Sequence, residues 1–275
     1  MHVHAGVYLL AITNVHVSDD SYAFDLYLNL TCDQPCDPGR FDIMNGTATQ
    51  RYEEGNDPNA RYYRIQATLY NNLKLTSYPF EKYKLSFAIE DQNLPNNQLV
   101  YDVETKTSGL HPGVLSSGWK VSNGWEANVS DDLYTIYDQT YSRYTFSVTI
   151  QRPIISSWVK GIFPGVVIVV IGFFALFTDP EDALQRIFIG TSALLGAIVY
   201  HLTLTSSIPP VGYLTFGDRF MMVNYLALGL VLGTTVAMLV RRRRHKQHAI
   251  SLVHITSMWA VPAVWIVLQG ANFLV

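Results

Sequence analysis

Between Arg186 and Pro209 the chain reads RIFIGTSALLGAIVYHLTLTSSIP. This stretch is long enough to cross a bilayer as a single helix. It is also polar for a spanning segment, with Thr191, Ser192, His201, Thr203, Thr205, Ser206 and Ser207 inside it. Polar side chains in a spanning helix face a bundle interior or water rather than lipid. Alternating steps of four and three residues keep to one face of a helix. Here that face is Phe188, Ser192, Leu195, Val199, Leu202 and Ser206. Its middle is apolar and its far end carries a hydroxyl. A symmetric ring of such helices would enclose a narrow aliphatic constriction, of the kind that gates by dewetting. The competing reading is a helix buried in one bundle, its hydroxyls bonded back to its own backbone.

Charge divides the chain at the same border as hydropathy. Residues 1–157 hold 11 Lys and Arg against 18 Asp and Glu, net −7, whereas residues 158–275 hold 8 against 4, net +4. The expected organisation is two domains, 1–157 polar and aromatic, 158–275 membrane-embedded. The first ten residues, MHVHAGVYLL, lack the charged leader and cleavage site of a signal peptide. An exported N-terminal domain needs such a leader, so one is expected to have been removed. Cys32 and Cys36 are spaced to close a small disulfide, or to remain as two thiols.

Strict alternation marks half-buried strands in the first part. Tyr22, Phe24, Leu26, Leu28 and Leu30 alternate with Ala23, Asp25, Tyr27, Asn29 and Thr31. The same period runs through Tyr63–Leu69, Tyr83–Ile89 and Tyr144–Ile150. Further strands are expected at Val7–Val17, Phe41–Thr49, Leu99–Val103 and Trp119–Val129, separated by turn clusters such as Asn45-Gly46. These features predict an antiparallel β-sandwich. The acid pairs Asp19-Asp20 and Asp131-Asp132 are expected in turns, as solvated carboxylates or a weak divalent-cation site. No nucleophile elbow, HExxH or phosphate loop occurs, so neither catalysis nor a metal or organic cofactor is expected.

Four apolar runs follow: Trp158–Phe177, interrupted by Pro164, then Ile187–Ser207, Phe220–Val240 and Ala249–Phe273. Arg241-Arg242-Arg243-Arg244-His245-Lys246 lies between the third and fourth. A basic cluster hard against a span marks the cytoplasmic side and contacts anionic lipid, rather than nucleic acid. Four spans then leave the N-terminal domain and the C-terminus outside the cell.

A β-sandwich followed by four spans with a polar second one resembles the pentameric ligand-gated ion channels, or Cys-loop receptors. Tyr78-Pro79-Phe80-Glu81 is similar to that family's aromatic-Pro-aromatic-Asp signature, with Glu for Asp. Asn71 and Leu85 stand where animal receptors carry the loop cysteines, so the likeness is to the prokaryotic type. Arg152-Pro153 resembles the pre-membrane arginine, and Pro164 the first-span proline. Arg186, Leu195 and Pro209 match the start, middle and end of the pore helix, and Ile208–Tyr213 resembles the loop after it. The sandwich departs from the family in the short region between Cys32 and Arg61.

The resemblance implies a non-enzymatic, homopentameric channel of the cell membrane, gated by an unidentified small-molecule agonist or by protons. Its pore would be lined by Phe188, Ser192, Leu195, Val199, Leu202 and Ser206. Glu181, Asp182 and Gln185 at the inner mouth would set selectivity, with cations favoured over anions. Coupling would run through Asp19, Asp20, Tyr78, Pro79, Phe80, Glu81, Arg152, Pro209 and Tyr213, with Arg152 paired to Glu81 and to Asp19 or Asp20. The family's agonist pocket maps to Tyr27, Gln92, Asn93, Tyr134, Tyr137 and Tyr141. His201 would serve as a proton sensor or as a satisfied histidine between helices. The alternative assignment is a membrane-anchored sensing or assembly module of the same fold that conducts nothing.

Overall fold

A computed structural model of the chain describes residues 1–33, 38–55, 57, 59–115, 118–243 and 247–274. It contains two compact units, one made of Met1–Lys74 with Lys82–Pro153, the other of Leu75–Glu81 with Ile154–Val275.

The first unit is a β-sandwich. Its strands are β1 (His2–His16), β2 (Ser21–Cys32), β3 (Phe41–Ile43), β4 (Gly46–Glu53), β5 (Ala60–Tyr70), β6 (Lys82–Asp91), β7 (Val100–Val103), β8 (Gly109–Leu110), β9 (Lys120–Tyr134) and β10 (Gln139–Gln151). A six-stranded sheet runs β4-β5-β2-β1-β7 with β8 also on β1, and a four-stranded sheet runs β3-β6-β10-β9. The alternating residues do what their period demands. Leu26, Leu28 and Leu30 of β2, Ile65 of β5, Leu85 and Phe87 of β6, and Phe146 and Val148 of β10 are fully buried in one core shared by both sheets. Among the described strands, pairing is antiparallel except that β1 runs parallel to β7 and β8, which makes the sandwich mixed. Periodicity reports the face a residue takes and not the direction of its strand, which the connection sets.

Two expectations are corrected. Asp131 and Asp132 lie inside β9, paired with Ser142 and Tyr141 of β10, and not in a turn. The Phe41–Thr49 run is two strands in different sheets, broken at Met44-Asn45. Asn45 fastens that break: its Nδ2 donates to the Ser86 carbonyl at 2.8 Å and its Oδ1 accepts from Ala88 N at 3.1 Å. Gly46 follows because a Cβ there would collide with the backbone of Thr68 and Leu69. Cys36, Arg244, His245 and Lys246 lie outside the described residues.

The core of this unit makes an alkaline limit. Burial pushes the Tyr144 phenol up to about 12 and also raises Tyr22. A raised acid holds its proton in the folded state while the unfolded chain releases it, so stability falls as pH climbs from about 10 toward 12. Tyr144→Phe is expected to remove on the order of 2 kcal/mol of this alkaline destabilisation. Fluorescence-monitored denaturation at stepped pH measures it, and an alkaline limb identical in the variant would refute it.

The second unit contains α1 (Ile154–Gly161), α2 (Phe163–Phe177), α3 (Ala183–Ser206), α4 (Phe216–Arg243) and α5 (Gln247–Leu274). Among the described residues, four spans are long and apolar enough to cross a membrane: Ile154–Phe177, Ala183–Ser206, Phe216–Arg243 and His248–Leu274. The first starts before Trp158, and its interruption falls at Ile162 rather than at Pro164. Pro164 sits in the first turn of α2, where its missing N–H costs nothing. Hydrogen bonds from Ile162 N to Trp158 O and from Val166 N to Ile162 O, each 3.1 Å, carry the chain across the break. Fully buried Asn224 of α4 accepts from Trp265 Nε1 at 2.8 Å and Gln269 Nε2 at 2.9 Å of α5. Such bonds satisfy polar groups that lipid cannot.

Candidate functional site

The sequence of α3 gives each of its sides a different character. Gly190, Ala193 and Ala197 are buried where α3 meets α2 and α4. Small residues let helix backbones approach closely, and a Cβ at Gly190 would run into Leu232 of α4. The hydroxyls fold back on the helix: Thr191 Oγ1 donates to Ile187 O at 2.8 Å, Thr203 to Val199 O at 3.0 Å, and Ser206 to Thr203 O at 2.9 Å. That self-satisfaction lets polar residues sit in an apolar span. Away from the packed side, Phe188, Leu195, Val199 and Leu202 are 71%, 63%, 55% and 65% exposed. Ser192 and Ser206 are exposed as well. The face picked out by helical spacing is therefore left uncovered by the described residues, as are the neighbouring Thr191, Ile198 and Thr203.

The N-terminal end of α3 sorts its charges. Arg186 is only 1% exposed. Its Nη1 donates to Thr178 O at 2.8 Å and lies 3.3 Å from His254 Nδ1. Asp179, Glu181, Asp182 and Gln185 are all exposed.

At the C-terminal end the loop Leu75–Glu81 belongs to the helical unit. Tyr78, whose peptide bond to Pro79 is cis, shares a 2.7 Å hydroxyl bond with Ser207. Tyr213 Oη accepts from Leu75 N at 2.8 Å, and Thr76 O accepts from Phe216 N at 2.8 Å. The Phe80 ring packs on Trp158 and Phe216, with centroids 5.7 and 5.6 Å away. Pro79 lies against Gly161, where no Cβ would fit. Thus Tyr78, Pro79, Phe80 and Tyr213 are gathered at one end of the helices, and Pro209 lies in the stretch between α3 and α4. Glu81 closes this loop and is buried. Asp19, Asp20 and Arg152 belong to the β unit. There Asp20 Oδ1 accepts from Leu73 N at 2.9 Å, and the Arg152 guanidinium lies 4.9 Å from the Trp119 ring.

His201 is held from both sides. Its Nδ1 meets Tyr225 Oη at 2.9 Å and its Nε2 meets Asp218 Oδ1 at 3.0 Å. Asp218 Oδ2 in turn accepts from the amide and the hydroxyl of Thr215, both at 2.8 Å. This is the geometry of a satisfied histidine that ties α3 to α4.

The β unit carries a separate cavity of about 220 Å³, lined by Asp42, Met44, Glu90, Asp91, Gln92, Tyr134, Tyr137 and Tyr141. Tyr134 and Tyr141 meet edge to face at 5.6 Å. Glu90, 3% exposed, accepts from Tyr134 Oη at 2.8 Å and from Arg143 Nε at 2.6 Å. Arg143 also pairs with Asp132. Burial, and then the Glu90 carboxylate, raise the Tyr134 phenol above its usual range. Asp91 Oδ1 accepts from the amides of Asn93 and Leu94, each at 2.8 Å, and shapes the turn that presents Gln92. Gln92 Nε2 donates to Asp42 Oδ1 at 2.8 Å.

Of the residues singled out by sequence, Gln92, Tyr134, Tyr137 and Tyr141 converge here. Asn93 shapes the same turn. Tyr27 lies on the other sheet, with the Arg64 guanidinium 5.9 Å from its ring. Asp42, Glu90, Asp91 and Arg143 were not foreseen. Glu90 and Arg143 are cross-strand partners on β6 and β10, and no local pattern marks a pair so far apart in sequence.

No family model matches the chain. The chain is 24% identical over 191 residues to pH-sensitive chloride channel 2 of Anopheles gambiae. The similarity covers 66% of this chain and 31% of that protein, so the chain spans under a third of the length of the curated relative it matches.

Proposed function

We propose that this chain is one subunit of an ion channel, a homopentamer of the cell membrane whose water-filled axis is lined by α3. The observation that carries this reading is the sidedness of α3. Its small residues are used up in packing, while Phe188, Ser192, Leu195, Val199, Leu202 and Ser206 are left uncovered. A closed cyclic ring of identical subunits gives such a face a common axis. Leu195, Val199 and Leu202 then form the apolar gate, and permeant ions pass when it hydrates. The similarity to a named chloride channel supports the class of activity. The arginines that end α4 support an orientation with that end in the cytoplasm and the β unit and the C-terminus outside.

The stimulus in this proposal is a small organic cation, or protons, acting at the tyrosine cavity. Aromatic faces attract an ammonium group, and Asp42, Glu90 and Asp91 add negative charge beside them. Only a stimulus that binds one arrangement more tightly can shift gating. The loop Leu75–Glu81, bonded to Ser207 through Tyr78, is the lever on the end of α3.

Cation conduction follows from the charge sorting at the N-terminal end of α3. The carboxylates of Asp179, Glu181 and Asp182 are exposed while Arg186 is turned into the bundle. Exposed carboxylates raise the local concentration of cations. In asymmetric KCl the reversal potential is expected near that of potassium. It should move toward zero in a Glu181→Gln, Asp182→Asn variant. A potential near that of chloride would overturn the selectivity and leave the channel standing. A detergent-purified particle that is monomeric and conducts nothing over a pH and amine series would overturn the channel itself.

A further inference from the structure

The helical unit holds a cavity of about 500 Å³ walled by the rings of Phe80, Trp158, Phe216 and Phe273. The rings brace one another. Phe273 stacks on Trp158 with centroids 5.4 Å apart and lies 4.8 Å from Phe216, and Phe80 lies 5.7 Å from Trp158. Arg219 of α4 and Asn272 of α5 also line it. Arg219 Nε and Asn272 Nδ2 are both shut off from solvent, and neither finds a hydrogen-bond partner among the described residues. Both atoms are donors, so what each is missing is an acceptor. The mouth is apolar and open: Trp158 and Phe273 are 42% and 46% exposed, and the adjoining Leu274 is 89% exposed.

The cavity lies where spans end. Trp158 is near the start of Ile154–Phe177, Phe216 and Arg219 open Phe216–Arg243, and Asn272 and Phe273 close His248–Leu274. Once such spans cross a bilayer, their ends sit at the depth of the headgroups, where tryptophan is enriched. A buried donor without a partner is costly, and a ligand oxygen there removes the cost. A guanidinium forks onto phosphate oxygens, and an amide NH2 donates to another. We infer that this cavity binds the head of a membrane phospholipid, with the phosphate between Arg219 and Asn272 and the first acyl carbons on the aromatic wall. A cavity of this size is in the range of small-molecule sites. Arg219 and Asn272 come to it from α4 and α5, so the occupant ties the last span to the third. The inference does not depend on conduction, because it needs only one helical unit in a bilayer.

Native mass spectrometry of the delipidated full chain in detergent tests it. The probe is dioctanoylphosphatidylglycerol, and dioctanoylglycerol and sodium dodecanoate are the ligands that lack a phosphate. Saturable binding of the phospholipid is expected, with the other two much weaker. Arg219→Gln should weaken it roughly 10- to 100-fold, the loss of one or two charge-assisted hydrogen bonds. Asn272→Leu, in the last turn of α5, keeps the bulk and removes one neutral donor, and should weaken it about fivefold. Thermal unfolding gives a second readout: the phospholipid should raise the melting temperature of the wild type and have little effect on Arg219→Gln. Equal saturation by all three ligands would leave apolar burial alone and overturn the phosphate. Saturation by dodecanoate only would put a fatty acid in place of the phospholipid and overturn it too. Phospholipid binding unchanged in both Arg219→Gln and Asn272→Leu would overturn the site.

Discussion

Leu195→Ser is expected to hold the pore open. Leu195 is 63% exposed on the uncovered face of α3 and sits midway along its apolar stretch. In the proposed ring it meets its own copies across the axis, and serine there lets water cross the constriction. Burying a leucine is worth roughly 2 kcal/mol. If a third of that separates the closed from the open arrangement, five subunits together contribute about 3 kcal/mol, roughly a hundredfold in the gating equilibrium. The half-activating stimulus should fall by that order, or current should flow with no stimulus at all. Ile266, 62% exposed on α5, supplies the control. Ile266→Ser should leave gating alone, because in the proposed ring α5 has no part in the constriction. Equal currents and equal leak in wild type and Leu195→Ser would remove the gate from this face.

Arg143→Ala should cost the β unit much of its stability and spoil the tyrosine cavity. The Glu90 side chain is 5% exposed and leans on Arg143 at 2.6 Å. Removing one member of a buried pair typically costs 3–5 kcal/mol, since a charge is left without its partner. Arg143 is itself 29% exposed and Asp132 is 36% exposed, so solvent screens part of the loss. About 2–3 kcal/mol is expected after that discount, which lowers the melting temperature by roughly 5–10 °C. Glu90→Gln in the Arg143→Ala background should recover part of it, because a neutral amide is cheaper to bury than a carboxylate. Thermal unfolding measures the first effect, and a coupled recovery in the double variant separates a charge effect from lost packing. An unchanged melting temperature in Arg143→Ala would show that Glu90 does not lean on this partner. Tetramethylammonium titration of the same variants reports on the cavity, whose Tyr134 hydroxyl donates to Glu90 and accepts from Arg143.

How far the sequence could be read depends on the range of the interaction. The alternation Tyr22, Phe24, Leu26, Leu28, Leu30 names buried positions because side-chain direction in a strand is a local property, and these residues are buried. It could not foresee the parallel β1–β7 pair, which is settled by where a distant strand returns. Asp131-Asp132 looked like a turn because paired acids favour turns. Their place in β9 comes from pairing with β10, whose Arg143 takes up the Asp132 carboxylate. The hairpin tyrosines were legible, being close together in the chain. The carboxylates that give their cavity its charge were not, because Asp42, Glu90 and Asp91 arrive on β3 and β6.

The sequence by itself determined that a strand-rich unit precedes four membrane-length helices, and that α3 carries a face of Phe188, Ser192, Leu195, Val199, Leu202 and Ser206. Both follow from hydrophobic period, which every short window of chain displays. Only the tertiary structure decided that this face is left uncovered by the rest of the chain, that Arg186 turns into the bundle, and that His201 is held between Asp218 and Tyr225. Those outcomes depend on which surfaces distant segments bury against one another, and a short window of sequence does not contain its neighbours in space.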